Sequence, residues 1–172
     1  MKRIVIVGTT GSGKSTLAKN LAGKLKLVHI DLDDLHHMPG WQERPSDDFR
    51  RLLTEAIQAE KWAVAGNYIS KAQDITWPAA DTLIWLDIPF LSNFWWLLKR
   101  TVTRAYKGEI ICNGNIEKLF VKDSILFWFL KTWHKNRKQY ETVFATPQSY
   151  SHLTLIRLRS RQQISEFLDK AG

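Results

Sequence analysis

The stretch VGTTGSGKST at residues 7–16 constrains the fold of this chain more than any other segment. Gly8, Gly13, Lys14 and Ser15 match the spacing G-x-x-x-x-G-K-[ST], and the stretch lies between a β-branched run and a helix-like segment. Glycines in such a loop let successive backbone N–H groups converge on phosphate oxygens at the N-terminus of the following helix. The motif therefore predicts a strand–loop–helix unit that binds the phosphates of a nucleoside triphosphate.

Two side chains of this loop carry the expected chemistry. The Lys14 ammonium would contact the β- and γ-phosphates, which makes Lys14 a predicted catalytic residue, and the Ser15 hydroxyl would bind Mg²⁺. ATP and Mg²⁺ are the predicted cofactors, whereas the loop leaves the second substrate open. The predicted cofactor-binding residues are Gly8, Thr9, Thr10, Gly11, Ser12, Gly13, Lys14, Ser15 and Thr16.

Apolar segments rich in β-branched residues alternate with amphipathic segments along the chain. Continuous apolar runs are typical of strands buried on both faces of a parallel sheet, and helices join such strands through right-handed crossovers. The expected fold class is α/β, a three-layer P-loop NTPase fold with a five-stranded parallel sheet flanked by helices. The predicted strands are 2–7, 27–33, 62–66, 82–88 and 153–158; the predicted helices include 46–61 with Ser46 as N-cap, 89–107, 116–145 and a last helix capped by Ser160.

Length and composition favour one domain over residues 1–172, with 44% hydrophobic and 24% charged residues. The single cysteine, Cys112, excludes an internal disulfide, and the apolar run at 125–130 is far too short to span a bilayer. The N-terminus leads directly into the glycine-rich loop without a secretory leader. We therefore predict a cytoplasmic protein with no membrane partner.

The formal net charge of +8 favours anionic partners such as nucleotides, phosphorylated metabolites or nucleic acid. DNA is a possible partner on charge alone, but no DNA-reading motif supports it. The expected partners are ATP and a small-molecule acceptor that the sequence does not identify.

An acidic segment follows the second predicted strand, in HIDLDDLHHMPGW at 29–41. Ligands of open α/β sheets bind at the carboxyl ends of strands, where Asp31, Asp33 and Asp34 lie. Asp31 and Asp33 share a face if the chain stays extended, so one carboxylate could lie near Mg²⁺ while the other orients or deprotonates an acceptor. Asp33 is the favoured catalytic residue and a possible metal neighbour; the alternative is a solvated acidic turn. His36 and His37 are adjacent and so point in different directions, which disfavours a metal site.

Two long predicted helices enclose the short segment GEIICNGN at 108–115. In 89–107 the apolar line is Leu91, Phe94, Leu98, Val102 and Ala105, whereas Arg100 and Arg104 lie on another face. Arg137 lies on an apolar line of the next helix. Arginines stabilise the charge of a moving phosphoryl group, so Arg100, Arg104 and Arg137 are predicted catalytic residues and residues 104–115 a lid. The alternative is a solvated basic face.

Several aromatic and acidic side chains are ambiguous. Trp95, Trp96, Trp128 and Trp133 could stack on bases, but packing between helices is the favoured interpretation. Asp87, at the end of a predicted strand, could support Mg²⁺ from a distance or cap the next helix.

The segments IDLDDL, MPGW, WAVAGNY, ADTLIWLDIP and LIRLRSRQQISEFL resemble the bacterial "topology modulation protein" group. These are adenylate-kinase-related P-loop proteins, and the resemblance covers essentially the whole chain. It implies a nucleoside-monophosphate-kinase-like fold with a short lid. The group's name reflects an association with DNA supercoiling.

The resemblance also implies roles for particular residues. Arg100 and Arg104 match basic positions that lead into the lid, and Arg137 matches an arginine in the returning helix. The chain departs from the group at His36 and His37, where relatives carry an aromatic pair, and at Glu109, where an arginine is common. The substrate-binding residues it implies, together with the acidic segment, are Asp31, Asp33, Gly66, Asn67 and Tyr68.

Three functions fit these patterns. The first is a phosphotransferase that moves the ATP γ-phosphate to a nucleoside-monophosphate-like acceptor, or to a sugar acid because DLDDLH is similar to an element of gluconate-type kinases. The second is an NTP-dependent, DNA-topology-associated regulator. The third is a nucleotide-binding switch or slow NTPase without an acceptor.

Overall fold

The computed structural model describes residues 1–108, 110–116 and 124–171. Short 3₁₀ turns cover Pro39–Trp41 and Pro147–Tyr150. In chain order, the strands and helices are β1 (Arg3–Gly8), α1 (Lys14–Leu25), β2 (Val28–Asp31), α2 (Leu32–His36), β3 (His37–Met38), β4 (Gln42–Glu43), α3 (Ser46–Ala56), β5 (Trp62–Ala65), α4 (Ile69–Ala79), β6 (Thr82–Leu86), α5 (Phe90–Lys107), β7 (Ile110–Ile111), β8 (Asn115–Ile116), α6 (Ile125–Ala145), β9 (Thr154–Leu158) and α7 (Arg161–Lys170).

A five-stranded parallel sheet in the order β2-β5-β1-β6-β9 forms the centre of the molecule. Strand β1 lies in the middle, where Val5 is in register with Val64 of β5 and with Leu83 of β6. Its apolar run is continuous because both faces of the sheet are covered. The α/β fold class with a five-stranded parallel sheet is therefore confirmed.

Helices cover the sheet on both sides. One face packs Ile4 and Ile6 of β1 against Leu17 and Leu21 of α1, with Phe167 of α7 at the margin. The other face packs side chains of α3, α4 and α6 on the sheet: Phe49, Leu53, Trp77, Tyr140 and Val143 surround Val5, Val64 and Trp85. Two apolar clusters on opposite faces make the three layers that the alternation predicts.

The second strand ends earlier than the sequence predicts. The Asp31 side chain accepts a hydrogen bond from the Asp33 backbone N–H at 3.0 Å and so caps a short helix, α2. The expectation that Asp31 and Asp33 share a strand face is therefore wrong, because the chain is already helical at Asp33. Ser160 is confirmed as the cap of α7, whereas α3 begins at Ser46 itself after Pro45.

The apolar line predicted on α5 is wrong. Leu91 is 78% exposed and Val102 is 48% exposed, whereas Asn93, Leu97 and Thr101 are buried. Apolar side chains occur on more than one side of this helix. The buried side is the one that carries Asn93, whose amide donates to the Thr9 hydroxyl of the glycine-rich loop.

The packing interpretation of the tryptophans holds only in part. Trp133 is buried and Trp96 packs on the core cluster of α1 and α7, whereas Trp95 and Trp128 are more than half exposed. Helix α6 begins at Ile125 among the described residues; residues 117–123 of the helix predicted at 116–145 lie outside them, as does Glu109.

Candidate active site

The loop between β1 and α1 is fitted closely against its neighbours. A Cβ added to Gly8 would lie 2.7 Å from the Leu86 carbonyl oxygen, and one added to Gly11 would lie 2.9 Å from the Leu97 Cβ. No side chain fits at either position, so only glycine lets the loop lie this close to β6 and α5. The open side of the loop carries Gly13, Ser15 and Thr16, which are exposed at the start of α1.

Side chains that are distant in the sequence form hydrogen bonds that fix the glycine-rich loop in place. The Asn67 side-chain oxygen accepts the Gly8 N–H at 3.2 Å and the Tyr140 hydroxyl at 3.0 Å, and the Asn93 amide donates to the Thr9 hydroxyl. Asn67, predicted to bind substrate, is thus bonded to the phosphate-binding loop itself. Sequence reasoning missed Asn93 and Tyr140, because neither shows a signal other than helical periodicity.

The Lys14 ammonium donates a hydrogen bond to the Thr9 carbonyl within the loop, at 3.1 Å. Burial lowers the pKa of Lys14 to about 8, and the carboxylates of Asp33 and then Asp31 oppose this shift. The positive charge of Arg100 lowers the pKa further. A desolvated ammonium in a glycine-rich loop fits a polyphosphate, because the negative charge of the anion would stabilise the ammonium that burial disfavours.

Asp31 is the carboxylate that lies beside Ser15. Burial and the nearby Asp33 carboxylate raise the pKa of Asp31, while the neighbouring Ser15 hydroxyl opposes this shift. A serine hydroxyl and a carboxylate are oxygen ligands of the kind that Mg²⁺ takes beside a nucleotide, so this pair fits the ion. The sequence made Asp33 the possible metal neighbour, whereas the carboxylate beside Ser15 is that of Asp31.

Asp33 also lies near Lys14, and its carboxylate is hydrogen-bonded to Tyr68. The Tyr68 hydroxyl donates to Asp33 Oδ1 at 2.8 Å and lies 3.4 Å from His37 Nε2. Burial and the Asp33 carboxylate raise the pKa of Tyr68, so its hydroxyl keeps its proton and remains a donor. Of the residues predicted to bind substrate, Tyr68 and Asp33 lie together, whereas Gly66 allows close packing of Leu32 against the end of β5.

The two histidines pack in a cluster of aromatic rings around Tyr68. His36 is 3% exposed, with its ring 4.6 Å from that of Tyr68 and 5.5 Å from that of Phe49 between centroids. Burial lowers the pKa of His36, which favours the neutral ring. Within the described part of the chain, no group of three or more His, Cys, Asp or Glu is arranged to hold a metal ion.

The hairpin of β7 and β8, inside the predicted lid, docks on the segment that follows Asp33. Asn113 donates from one amide to the Asp34 and His37 carbonyls, each at 2.7 Å. Asn115 donates to the Met38 carbonyl at 3.0 Å and accepts the Trp41 N–H at 2.7 Å. Burial raises the pKa of Cys112 to about 12, with Asp33 as the next cause, so the thiol stays protonated near that carboxylate. The hairpin therefore covers the Asp33 side of the site.

The three predicted catalytic arginines separate into two groups. The charge of Arg100 lowers the pKa of Lys14, and the charge of Arg104 lowers that of Cys112, so the two arginines lie near these residues. Arg137 instead binds Asp87 Oδ1 at 2.9 Å, and Arg157 binds Asp87 Oδ2 at 2.7 Å. Asp87 thus binds two arginines, and α5 begins after Pro89 without a side-chain cap, so the interpretation of Asp87 as a helix cap is wrong. A cavity of about 430 Å³ adjoins this cluster, lined by Asp87, Pro89, Phe90, Trp133, Arg137 and Arg159.

Curated relatives match only segments of the chain. It is 37% identical over 68 residues to an adenylate kinase of Mesomycoplasma hyopneumoniae (strain 232), a match over 40% of the chain and 28% of that protein. It is 52% identical over 33 residues to a shikimate kinase of Enterococcus faecalis, a match over 19% of the chain and 20% of that protein. The chain thus spans less than a third of either relative.

A solved structure agrees over nearly the full length. A gluconokinase from Sinorhizobium meliloti 1021 superimposes with a TM-score of 0.54 and 16% identity, covering 99% of this chain and 89% of that one. Identity this low speaks for the fold alone. None of the described helices has both the length and the apolar character needed to cross a membrane.

A family model described as "AAA domain" matches residues 4–112, which include the glycine-rich loop, the acidic segment and helix α5. Because this match covers more than half of the chain, the protein belongs to that AAA domain family.

Proposed function

We propose that the protein is an ATP-dependent phosphotransferase that moves the γ-phosphate of ATP to a small-molecule acceptor. The observation that carries this proposal is that the phosphate-binding loop places Lys14 near the carboxylate of Asp33, which the Tyr68 hydroxyl holds by a hydrogen bond of 2.8 Å. An ammonium that contacts the outer phosphates and a carboxylate that orients or deprotonates the attacking group are two recurring parts of phosphoryl-transfer sites. A nucleotide switch needs only the first.

The roles of the other residues follow from their contacts. The loop binds the phosphates through backbone N–H groups, and Arg100 adds positive charge beside Lys14. Ser15 and Asp31 would hold Mg²⁺, which when bound neutralises charge on the β- and γ-phosphates. Asp33, oriented by Tyr68, faces the acceptor. The docked hairpin keeps water from the transferring group.

The relatives support this assignment by their printed names, since the matched segments belong to an adenylate kinase and a shikimate kinase. The finer resemblance to the topology modulation protein group rests on the sequence segments alone and belongs to this proposal. So do the single domain over residues 1–172, the lid near 104–115 and a cytoplasmic location. Nothing in the site favours DNA as a partner.

The test is ATP turnover in Lys14→Ala, with Lys19→Ala as the matched control because Lys19 is exposed on the same helix. We expect Lys14→Ala to abolish ADP formation and weaken ATP binding in a protein whose circular dichroism is unchanged, while Lys19→Ala behaves as the wild type. Unchanged turnover in folded Lys14→Ala would overturn the assignment of the loop. A wild-type rate that no acceptor increases would favour the switch instead.

A further inference from the structure

We propose that the outer sides of helices α5 and α6 form a surface on which the protein binds an anionic phospholipid bilayer without crossing it. This inference goes beyond the proposed function and does not depend on it. It is carried by an exposed apolar stripe on α5, a basic stripe on α6 and the orientation of the two helices.

Helix α5 exposes an apolar stripe to solvent. Leu91, Trp95, Val102 and Tyr106 recur at spacings of 4, 7 and 4, which places them on one side of a helix, and their exposure ranges from 48% to 92%. The opposite side of the helix is the buried one, which carries Asn93. Single exposed apolar side chains are ordinary, whereas four of them along one stripe mark a surface that binds an apolar partner.

Helix α6 exposes an aromatic ring followed by basic side chains. Phe127, Lys131, His134 and Lys138 recur at spacings of 4, 3 and 4, and all four are exposed. Lysine stems lie on apolar surfaces while their ammonium groups stay in water. The α6 stripe therefore combines an apolar end with positive charge.

The net charge of the protein is concentrated on these two helices. Helix α5 has four Lys and Arg and no acidic residue, and α6 has four Lys and Arg and one Glu. Of the 25 Lys and Arg and the 17 Asp and Glu in the chain, the remaining 17 and 16 nearly cancel. Helices α5 and α6 thus account for almost all of the formal net charge of +8, which favours an anionic partner at this surface.

The two stripes face the same side of the helix pair. Phe90 of α5 packs on the rings of Phe129 and Trp133, whereas Phe94, one turn later, packs on Phe129, so the helices run antiparallel. At about 100° per residue, each stripe lies roughly a third of a turn from this contact, in the same rotational sense. On antiparallel neighbours this geometry places both stripes on one side, with the exposed Leu130 between them.

An anionic bilayer fits both halves of this surface. Trp and Tyr rings favour the level of the lipid headgroups, aliphatic side chains favour the acyl boundary, and lysines attract anionic headgroups. None of the described helices is a membrane span, so the protein would lie on the bilayer. The sequence-based prediction of no membrane partner rests on the shortness of the apolar runs, which excludes a span and not a helix that lies on the surface.

Other occupants fit this surface less well. A second copy of the chain would bring two basic stripes together, which is unfavourable. A nucleic acid would satisfy the lysines, but Leu91, Val102 and Leu130 have no ring on which a base could stack. Lipid is the partner that matches the charge and also covers the aliphatic side chains.

The experiment measures co-sedimentation of the full chain with vesicles of phosphatidylcholine alone and of equal parts phosphatidylcholine and phosphatidylglycerol. We expect binding to the anionic vesicles to be about tenfold tighter or more, and to weaken as NaCl rises. Brominated acyl chains should quench the tryptophan fluorescence of the bound protein, and Trp95→Phe should reduce this quenching without loss of binding. Absence of binding to the anionic vesicles, or equal affinity for both kinds, would overturn the inference.

A matched pair of substitutions tests the apolar stripe. Val102→Glu places a negative charge in the middle of the stripe and should weaken vesicle binding about tenfold or more. Val28→Glu is the control, because Val28 lies on β2 and is as exposed as Val102, at 48%. Circular dichroism checks that both variants are folded. Equal affinity of the two variants for anionic vesicles would contradict the proposed surface.

A second pair of variants tests the basic stripe. Lys131→Gln combined with Lys138→Gln should weaken binding to anionic vesicles about tenfold or more, since each lysine near an anionic surface contributes roughly fivefold. Lys61→Gln combined with Lys170→Gln is the control, because these lysines are exposed outside α5 and α6. Equal losses in the two double variants would mean that net charge alone, and not this surface, binds the lipid.

The other occupants are outcomes of the same work. A lipid-free dimer in sedimentation velocity that Val102→Glu dissociates would assign the surface to a second copy and overturn the inference. Tighter binding of a single-stranded oligonucleotide than of anionic vesicles, lost in the Lys131 and Lys138 double variant, would assign it to nucleic acid and also overturn it. Lys14→Ala should bind vesicles as the wild type does, so failure of the proposed function leaves this inference standing.

Discussion

Opposing influences act on the ammonium of Lys14. Burial lowers its pKa to about 8, whereas Asp33 and Asp31 raise it, so the unliganded protein begins to lose this charge just above neutral pH. Between pH 8 and 10.5 the folded protein binds fewer protons at Lys14 than the unfolded chain does, and stability therefore gains from Lys14 as the pH rises through this window. Nucleotide binding must have the opposite dependence, because a polyphosphate favours the charged form.

We therefore expect ATP affinity to fall roughly tenfold per pH unit above the pKa of Lys14. Isothermal titration calorimetry in buffers of different ionisation enthalpy should detect little proton uptake at pH 7 and uptake approaching one proton at pH 9. Lys14→Arg is the control, since its guanidinium does not titrate in this range. An affinity that is constant from pH 7 to 9.5 would argue against a desolvated lysine at the phosphates.

Asp31 offers a second test at the residue scale. Asp31→Asn should raise the Mg²⁺ concentration needed for half-maximal turnover about tenfold, the effect expected when a neutral amide replaces a carboxylate near the ion. Asparagine caps helices about as well as aspartate, so α2 should be retained. Turnover measured against Mg²⁺ at saturating ATP checks this, with Asp34→Asn as the control; an unchanged Mg²⁺ requirement would remove Asp31 from the ion site.

Prediction from sequence is most direct at this scale where the signal is local. Gly8, Lys14 and Ser15 lie in one loop and the first turn of the helix that follows it, so their spacing alone predicts their chemistry. Asn67, Asn93 and Tyr140 hold that loop from positions 59 or more residues away along the chain, as the separations of Gly8 from Asn67 and of Thr9 from Asn93 illustrate. The sequence around a single asparagine or tyrosine does not indicate which distant group its side chain will hydrogen-bond.

At the scale of elements, periodicity located helices better than it identified their buried faces. Helix α5 carries apolar side chains on several sides, and its contacts with the glycine-rich loop and α6 decide which side is buried. The end of β2 was misplaced for a related reason, because Asp31 begins a helix by capping it, which an apolar pattern does not reveal.

The hairpin of β7 and β8 allows a prediction at this scale. Asn113 has a φ of 61°, so Asn113→Gly removes its two hydrogen bonds to the Asp34 and His37 carbonyls without strain, whereas Asn113→Ala removes them and adds strain. We expect amide hydrogen exchange of residues 37–41 and 110–116 to become faster in Asn113→Gly, with ATP affinity unchanged. Asn20→Ala, on the exposed side of α1, is the control. Exchange identical to that of the wild type would mean that the amide does not hold the hairpin on this segment.

At the scale of the whole molecule, Asp87 joins three elements through one carboxylate. It follows β6 and binds Arg137 of α6 and Arg157 of β9, and Arg157 also lies over the Trp85 ring at 4.3 Å. Burial opposes ionisation of Asp87, but the hydrogen bonds and charges of Arg137 and Arg157 outweigh it and lower its pKa. A buried carboxylate between two arginines couples the sheet to the helix that carries Tyr140 and so, through Asn67, to the phosphate-binding loop.

Asp87→Asn should therefore destabilise the fold by about 2–3 kcal/mol at pH 7, somewhat less than the roughly 3–5 kcal/mol lost when a fully buried ion pair is broken, because both arginines remain partly exposed. The stabilisation of Asp87 is present at neutral pH and is lost as the pH falls through its lowered folded pKa, so the difference between wild type and variant should shrink in acid. Urea unfolding at pH 7 and pH 3 measures both quantities. Asp74→Asn is the matched control, since it removes the exposed pair with Arg50 and should destabilise the fold far less. Equal losses in the two variants at pH 7 would mean that the Asp87 cluster is an ordinary surface ion pair and not the link between sheet and helix.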